Sequence, residues 1–317
     1  MSFTSVSGQV SDGDDMSDRF RGRPMVEWPT LAMFALCYIT FIIGTTWATA
    51  LFLPLGIVLT ILAIALHSSL THEVLHGHPF RNQRLCDLLV FPAIGLAIPY
   101  YRFRDTHLAH HCDSILTDPY DDPETNYLDP AVWEPLPRWR KALHRFNNTL
   151  IGRLLVGPAL GQVAFVMADW RQIKAGDGAV LRGWLWHIPM VMIALWWMVF
   201  VSHMPIWAYL VSAYVALSIL KIRTFLEHQA HERCRGRTVI IEDHGPLAWI
   251  FLYNSLHVVH HMHPKVAWYN LPRLFRDHRE RYLSRNDSYY YRSYAEIFMQ
   301  YFFKAKDPVP HPLWPRE

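Results

Sequence analysis

Residues 28–71 read WPTLAMFALCYITFIIGTTWATALFLPLGIVLTILAIALHSSLT and contain no Asp, Glu, Lys or Arg. A second run without charged residues covers 183–220. A helix needs about 20 apolar residues to cross the hydrocarbon core of a bilayer, so each run is long enough for two spans. Turn residues interrupt the runs near 44–54 and at 202–205. We therefore predict four membrane spans, at 29–47, 51–70, 184–201 and 206–222.

The composition of the whole chain also favours a membrane protein. Of its 317 residues, 51% are hydrophobic and only 18% are charged, whereas a soluble globular protein carries about 25% charged residues. The net charge of +3 gives no indication of a nucleic-acid partner. Four Cys without a C-x-x-C pair exclude a disulfide scaffold and a zinc ribbon. We predict a flexible polar tail at 1–25, a single domain at 26–305 and a C-terminal tail at 306–317.

The positive charges predict the orientation of the spans. All 30 Lys and Arg lie outside the two charge-free runs, and the turns inside the runs hold none. The positive-inside rule then places both termini and the central segment in the cytoplasm. The predicted fold is all-α, with four spans in two hairpins and a cytoplasmic helical cap. We expect 85–101 and 150–168 to be interfacial or re-entrant, because each is interrupted by Pro, Gly or charged residues.

Histidine is concentrated in three short boxes, HEVLH at 72–76, HLAHH at 107–111 and HVVHH at 257–261. On a helix, side chains at i, i+3 and i+4 lie on one face, so the histidines of one box can bind a metal together. One H-x-x-x-H pair is expected about once by chance in a chain this rich in histidine, but two H-x-x-H-H boxes are not.

The number of box histidines indicates more than one metal ion. Octahedral coordination uses six ligands at most, and catalytic metals keep positions open. Two metals that share the histidines, with room for oxygen, are therefore the economical interpretation. The eight box histidines are His72, His76, His107, His110, His111, His257, His260 and His261.

The three boxes around two charge-free runs resemble the membrane fatty acid desaturase superfamily, which also includes alkane hydroxylases, carotenoid hydroxylases and ketolases. The similarity covers nearly all of 28–305, and the short first box with Gly77-His78-Pro79 looks most like bacterial acyl-lipid desaturases. The resemblance implies a non-haem di-iron site at the cytoplasmic face of a bacterial inner membrane, with the eight box histidines as ligands. It also implies that O2 and two electrons are used to attack an unactivated C–H bond of a lipid chain.

The same resemblance implies further site residues. Relatives recruit a ninth histidine after the fourth span, where His228 stands, and His231 is its alternative. Asn254 matches a position that some relatives use to hold a metal-bound water. Carboxylates often orient metal-bound imidazoles, although each acidic residue near the boxes can equally be a solvated or turn-forming residue. The acidic candidates are Glu73, Asp105, Asp113 and Asp118.

The predicted reaction is desaturation of the acyl chain of a fatty acid or lipid. Hydroxylation or another oxygenation of a lipid, alkane or carotenoid begins with the same hydrogen abstraction and stays open as the alternative. The chain contains neither a His-Pro-Gly-Gly haem motif nor a G-x-G-x-x-G nucleotide motif. We therefore expect electrons to come from a separate ferredoxin, rubredoxin or cytochrome.

Two other classes of function are less favoured. HEVLH also satisfies the H-E-x-x-H pattern of zinc metalloproteases, with Glu73 as the general base, but a protease needs only one further ligand and leaves six box histidines without a role. A metal transporter would bind its ion near the bilayer midplane. Here the boxes follow the predicted spans, and the spans contain no carboxylate.

Overall fold

The computed structural model describes residues 25–112 and 114–314. The predicted N-terminal tail apart from Met25, the last three residues and Asp113 lie outside the described residues. The protein is mostly helical, with one small sheet. In chain order the helices are α1 (Trp28–Leu51), α2 (Leu53–Leu75), α3 (Gln83–Leu89), α4 (Tyr100–His110), α5 (Pro130–Trp133), α6 (Arg138–Asn147), α7 (Leu150–Leu155), α8 (Gly157–Lys174), α9 (Gly178–Phe200), α10 (Ile206–Thr224), α11 (Pro246–Ile250), α12 (His257–Met262), α13 (Leu271–Asp277), α14 (Arg279–Arg285) and α15 (Tyr294–Tyr301), and the strands are β1 (Ile240–Ile241) and β2 (Tyr290–Tyr291).

Helices α1, α2, α9 and α10 are long and apolar enough to cross a membrane. The four predicted spans therefore correspond to four candidate membrane-spanning helices at approximately the predicted positions. Helix α2 is longer than predicted, because it continues beyond residue 70 to Leu75 and carries the start of the first histidine box. His72 and Glu73 are buried against the rest of the protein, so the helix does not end where polar residues begin.

The break between α1 and α2 is much shorter than the sequence indicates. A π-helical turn at Gly44–Ala48 keeps α1 helical, and only Phe52 adopts an extended conformation before α2 begins. Pro54 lies in the first turn of α2, where its missing N–H costs no helical hydrogen bond. At Gly56 a Cβ atom would lie 2.7 Å from the carbonyl oxygen of Gly44, so the two helices pack in close backbone contact.

The spans pack around α2 and expose apolar side chains on their outer faces. Helix α2 contacts α1 and α10, and the rings of Phe41 and Tyr209 meet with centroids 6.2 Å apart. Helix α9 packs against α4 and α8 instead. Such an extensive apolar exterior is stable in contact with lipid rather than water, and the protein is an integral membrane protein. Exposed apolar residues of the four spans include Leu36, Val58, Ile193 and Leu210.

Residues 90–99 connect α3 to α4 without regular structure and lie against the spans. The hydroxyl of Tyr209 donates to the carbonyl of Ile94 at 2.7 Å, and the ring of His187 donates to the carbonyl of Leu96 at 2.8 Å. Irregular backbone near a bilayer is tolerated where the protein itself supplies hydrogen bonds. These contacts suit the interfacial or re-entrant position expected for 85–101, whose depth in the membrane stays a prediction.

The segment 150–168 forms α7 and most of α8. Helix α8 contacts α9 and α10, while Val163, Met167 and Trp170 are exposed. A helix with apolar side chains on its free face suits contact with lipid. Whether it lies in the interface or enters the bilayer also stays a prediction.

Residues 100–155 and 225–314, which we call the cap, carry the second and third histidine boxes. Strands β1 and β2 pair in parallel, and α12 packs beside β1.

The described part of the predicted C-terminal tail, residues 306–314, packs against the rest of the cap. The N–H of Leu128 donates to the carbonyl of Val309 at 3.0 Å, and Lys306 Nζ donates to the carbonyl of His228 at 3.1 Å. The last residues of the described chain thereby support the segment that contains His228.

A buried ion pair anchors α4, the helix of the second box. Arg102 Nε and Nη2 each donate to the carboxylate of Asp169 on α8 at 2.9 Å. Trp184 Nε1 of α9 donates to the same carboxylate at 2.8 Å. Both charged side chains are less than one-tenth exposed, so the pair fixes α4 against two neighbouring helices.

We expect Asp169→Ala to destabilise the protein by about 3–5 kcal/mol, because it leaves the charge of Arg102 buried without a partner. Thermal unfolding in detergent measures the loss. Asp105→Ala is the matched control, since Asp105 lies on α4 but pairs with Arg104 where both side chains are about one-third exposed, and exposed pairs contribute about 0–1 kcal/mol. Equal shifts in Tm for the two variants would contradict an anchoring role for Asp169.

Candidate metal centre

The nine histidines expected as ligands lie in two adjacent clusters. In each cluster the nitrogen atoms that can bind a metal lie within 4.8 Å of one another. The five-histidine cluster consists of His72, His76, His107, His111 and His260. The four-histidine cluster consists of His110, His228, His257 and His261.

Helical geometry distributes the second and third boxes between the clusters. His107 and His111 are four residues apart and share one face of the helix end, while His110 points to the other cluster. On α12, His257 and His261 share a face and His260 turns to the five-histidine cluster. Each of these two boxes therefore contributes to both clusters and fixes their separation.

Three imidazoles have their tautomer set by a neighbouring oxygen. The Nδ1–H of His107 donates to Glu124 at 2.9 Å, and the Nδ1–H of His110 donates to Asp122 at 2.7 Å. His257 Nδ1 lies 3.0 Å from the Oδ1 of Asn254 and donates to it. A neutral imidazole that donates through Nδ1 carries its lone pair on Nε2.

These Nε2 atoms face other Nε2 atoms. His107 Nε2 lies 3.0 Å from those of His72 and His111, and His110 Nε2 lies 2.9 Å from that of His228. Lone pairs that converge in this way repel each other unless a proton or a cation lies between them. The donor set therefore fits a metal ion in each cluster, and imidazole suits iron, zinc, copper and nickel.

Burial favours the neutral form of three histidines in the clusters. Burial and the neighbouring imidazoles hold the pKa values of His228, His257 and His260 well below their usual range. Neutral imidazole is the form that binds metals, so protons compete weakly for these ligands at pH 7. The histidines are also shielded from solvent, and His260 is only 2% exposed.

The pKa of His110 is shifted in the opposite direction from the pKa values of His228, His257 and His260. Burial lowers its pKa, but the carboxylates of Glu124 and Asp122 outweigh burial and raise it to about 9. The same carboxylates that stabilise a proton on this ring also stabilise a metal cation bound to it.

Asp122 and Glu124 are site residues that the sequence analysis missed. Asp122 is almost fully buried, and its carboxylate also accepts the backbone N–H groups of Thr117 and Glu124, each at 2.9 Å. Asp122 precedes a proline, a pattern that is typical of a turn and gives no indication of a site residue. The acidic stretch DPYDDPE at 118–124, soon after the second box, is the signal that could have identified both residues.

A third acidic residue, Glu227, contacts the four-histidine cluster from the segment after α10. Its Oε1 lies 4.0 Å from Nδ1 of His257 and forms an ion pair with Nε of Arg223 at 3.0 Å. Glu227 directly precedes His228, so its position next to the expected ninth ligand was the available signal.

Two of the additional candidates lie at the clusters. Asn254 lies between them, with Oδ1 at His257 and Nδ2 3.5 Å from Nε2 of His72. Glu73 lies behind His72, with Oε1 3.8 Å from Nδ1 of that ring and Oε2 accepting the N–H of Trp268. Glu73 thus contacts the side of the His72 ring that faces away from the cluster.

The structure does not bring His231, Asp105 or Asp118 to either cluster. His231 contacts the backbone of Arg233. Asp105 is two residues before His107, on another side of α4, and pairs with Arg104. Asp118 accepts backbone N–H groups in its own turn.

Comparison with known proteins identifies the class to which this membrane histidine site belongs. The family model for fatty acid desaturases matches residues 45–293, and the chain therefore belongs to the fatty acid desaturase family. It is also 24% identical over 259 residues to a beta-carotene ketolase from Paracoccus sp. (strain N81106 / MBIC 01143), which covers 79% of this chain and 88% of the ketolase. No solved structure matches the chain significantly. The resemblance inferred from the three boxes is confirmed.

Proposed function

We propose that the protein is an O2-dependent di-iron oxidoreductase that desaturates the acyl chain of a fatty acid or lipid. The observation that carries the proposal is the gathering of nine buried or half-buried histidines into two clusters in a membrane protein of the fatty acid desaturase family. In the balanced reaction, the substrate loses two hydrogen atoms, a separate donor supplies two electrons and solvent supplies two protons. One O2 is thereby reduced to two waters.

The two clusters are the proposed ligand sets of two iron ions, five histidines for one and four for the other. When bound, the irons would supply the redox chemistry that couples O2 reduction to removal of hydrogen from carbon. The chain itself contributes position and charge. Asp122 and Glu124 hold His110 and His107 through Nδ1, which keeps Nε2 directed into the clusters.

The proposed arrangement in the membrane is two hairpins with the cap and both termini on the cytoplasmic side of a bacterial inner membrane. The distribution of all Lys and Arg outside the charge-free runs supports this orientation. The first box stands at the end of α2, where a span meets the cap. An acyl chain among the spans would then reach the clusters with its polar head near the cytoplasmic surface.

Oxygenation of a carotenoid is the second candidate reaction. It is favoured by the similarity to a beta-carotene ketolase over most of both chains. Both reactions start by removing hydrogen from a C–H bond, so the same histidine arrangement serves either one.

Product analysis tests the proposal and separates the two reactions. The protein is expressed with a ferredoxin and its reductase in cells that contain both acyl lipids and β-carotene, and extracted lipids are compared by mass spectrometry. Desaturation removes two hydrogens from an acyl chain, hydroxylation adds one oxygen, and ketone formation on a carotenoid exchanges two hydrogens for one oxygen. Oxygenated products without any new double bond would overturn the desaturase proposal.

Metal analysis of the purified protein separates the di-iron proposal from a zinc protease. We expect about two irons per chain, since the nine imidazoles exceed what one catalytic metal can bind. The position of Glu73 also argues against a protease, because its carboxylate lies on the side of His72 away from the cluster. One zinc per chain and no iron would contradict the proposal.

A further inference from the structure

Two segments of the cap, 231–237 and 281–287, come together next to the four-histidine cluster. Asp287 joins them, because its carboxylate lies 3.5 Å from Nε of Arg233 and 3.8 Å from Nη2 of Arg235. The segments carry two carboxylates, Glu232 and Asp287, against five arginines, so the net charge is positive. We call this surface the basic face, and its arginines are Arg233, Arg235, Arg237, Arg281 and Arg285.

A surface depression in the basic face extends to the cluster. The depression is lined by the exposed Cys234 and Arg235, the half-buried Arg285, and His261 with its neighbour Met262. His261 belongs to the four-histidine cluster, and the other members of that cluster do not line the depression. A molecule bound over the depression therefore lies next to His261, one imidazole of the cluster.

His261 also connects the two clusters. Its ring stacks on that of His111, with centroids 4.3 Å apart and an interplanar angle of 18°. His111 belongs to the five-histidine cluster. The ring of His261 thus belongs to one ligand set and contacts the other, so an electron that reaches this ring is close to both sets.

The side chains around the depression favour a soluble protein partner over a membrane surface. In the described chain, no large apolar side chain is exposed between residues 225 and 248 or between 250 and 298. Helices that bind a leaflet insert such side chains beside their basic residues, as α6 can with Trp139, which is 64% exposed. A basic surface without apolar anchors is complementary to an acidic protein surface.

We propose that the basic face binds an acidic one-electron carrier protein and that electrons enter the site through His261. This inference rests on the proposed function, which requires two electrons from outside the chain. In each docking event the carrier is oxidised by one electron and the site is reduced by one. Two such events supply the electrons that, with two from the substrate and four protons, reduce one O2 to two waters.

Charge reversal at two exposed arginines tests the proposal. The variant R233E/R235E is placed in nanodiscs of neutral phosphatidylcholine, and its affinity for an acidic plant-type ferredoxin is measured at low and high salt. We expect affinity about tenfold or more below that of the wild type, together with a weaker dependence on salt. R233Q/R235Q, which removes the charges without reversing them, should show an intermediate loss.

The matched control is R273E/R276E on α13. These arginines are also exposed and also lie beside an aspartate, Asp277, so the variant changes the net charge equally at a site that does not line the depression. Equal losses in the two charge-reversal variants, or no salt-dependent binding by the wild type, would overturn the proposal. A loss of ferredoxin affinity that occurs only in nanodiscs of anionic phosphatidylglycerol would also overturn the proposal, since the basic face would then contact the leaflet.

Two further measurements distinguish failure of this proposal from failure of the proposed function. Iron content is determined for each variant to verify that the clusters are intact. The wild type is also driven by dithionite, a small reductant that needs no docking surface. If dithionite gives no lipid product, the proposed function is contradicted. If dithionite gives product but the two charge-reversal variants bind ferredoxin equally, only the proposed role of the basic face is contradicted.

Discussion

Replacing His260 by alanine is expected to abolish product formation while the protein still inserts into the membrane. His260 lies in the five-histidine cluster, with Nε2 3.2 Å from that of His111 and the ring 4.6 Å from that of His72. Its loss removes one nitrogen donor from a buried set of five. The iron content should fall from about two per chain to one or less, because a ligand set of this kind binds its metal through all its donors together.

The measurement combines product formation, iron content and the amount of protein in the membrane fraction. His110→Ala in the other cluster should give the same result. His244→Ala is the matched control, since His244 is an exposed cap histidine outside both clusters, and it should keep iron and activity. Near-wild-type turnover of the His260 or His110 variant would refute the assignment of the clusters as the catalytic site.

Asp122→Asn should lower iron affinity or turnover about 10–100-fold, the usual effect of losing a residue that orients a metal ligand. Asparagine has nearly the same shape, and its single side-chain oxygen can still accept from Glu124 and His110, whereas the N–H of Thr117, which donates to the other carboxylate oxygen, loses its acceptor. It lacks the negative charge that raises the pKa of His110 to about 9 and stabilises a cation on that ring. The variant therefore removes the negative charge and one backbone hydrogen bond, and it keeps the hydrogen bond to His110.

Retention of iron during titration with a chelator measures the affinity, and turnover is measured at saturating iron. Asp118→Asn is the control, because Asp118 stands in the same loop but only accepts N–H groups in its turn, which asparagine also does. Similar behaviour of the two variants would show that Asp122 has a structural role alone.

The different roles of Asp122 and Asp118 could not be predicted from the sequence. Both precede a proline and both resemble turn formers. The choice between them depends on the path of the loop after the second box, which long-range contacts determine. Thr117 Oγ1 lies 3.2 Å from Nε2 of His311 near the end of the described chain, a partner 194 residues away. No local pattern predicts such a contact.

The spans and the histidine pairs could be predicted from the sequence, because their physical causes are local. Each span is a contiguous apolar run, and burial of apolar surface depends on composition within that run. The pairing of histidines within a box follows from the helical repeat, which also acts over a few residues. His228 was expected from the resemblance to the family, and it lies in the four-histidine cluster.

The four membrane helices and the pairing of the eight box histidines could be predicted from the amino-acid sequence, because hydrophobicity and helical periodicity are local properties of the chain, and the family resemblance added His228. Three features became visible in the folded protein alone: the division of the histidines into sets of five and four, the hydrogen bonds of Asp122 and Glu124 rather than Asp105 and Asp118 to these histidines, and the place of His261 in a basic surface depression. These features depend on segments far apart in the chain, brought together by packing and hydrogen bonds that no single stretch of sequence contains.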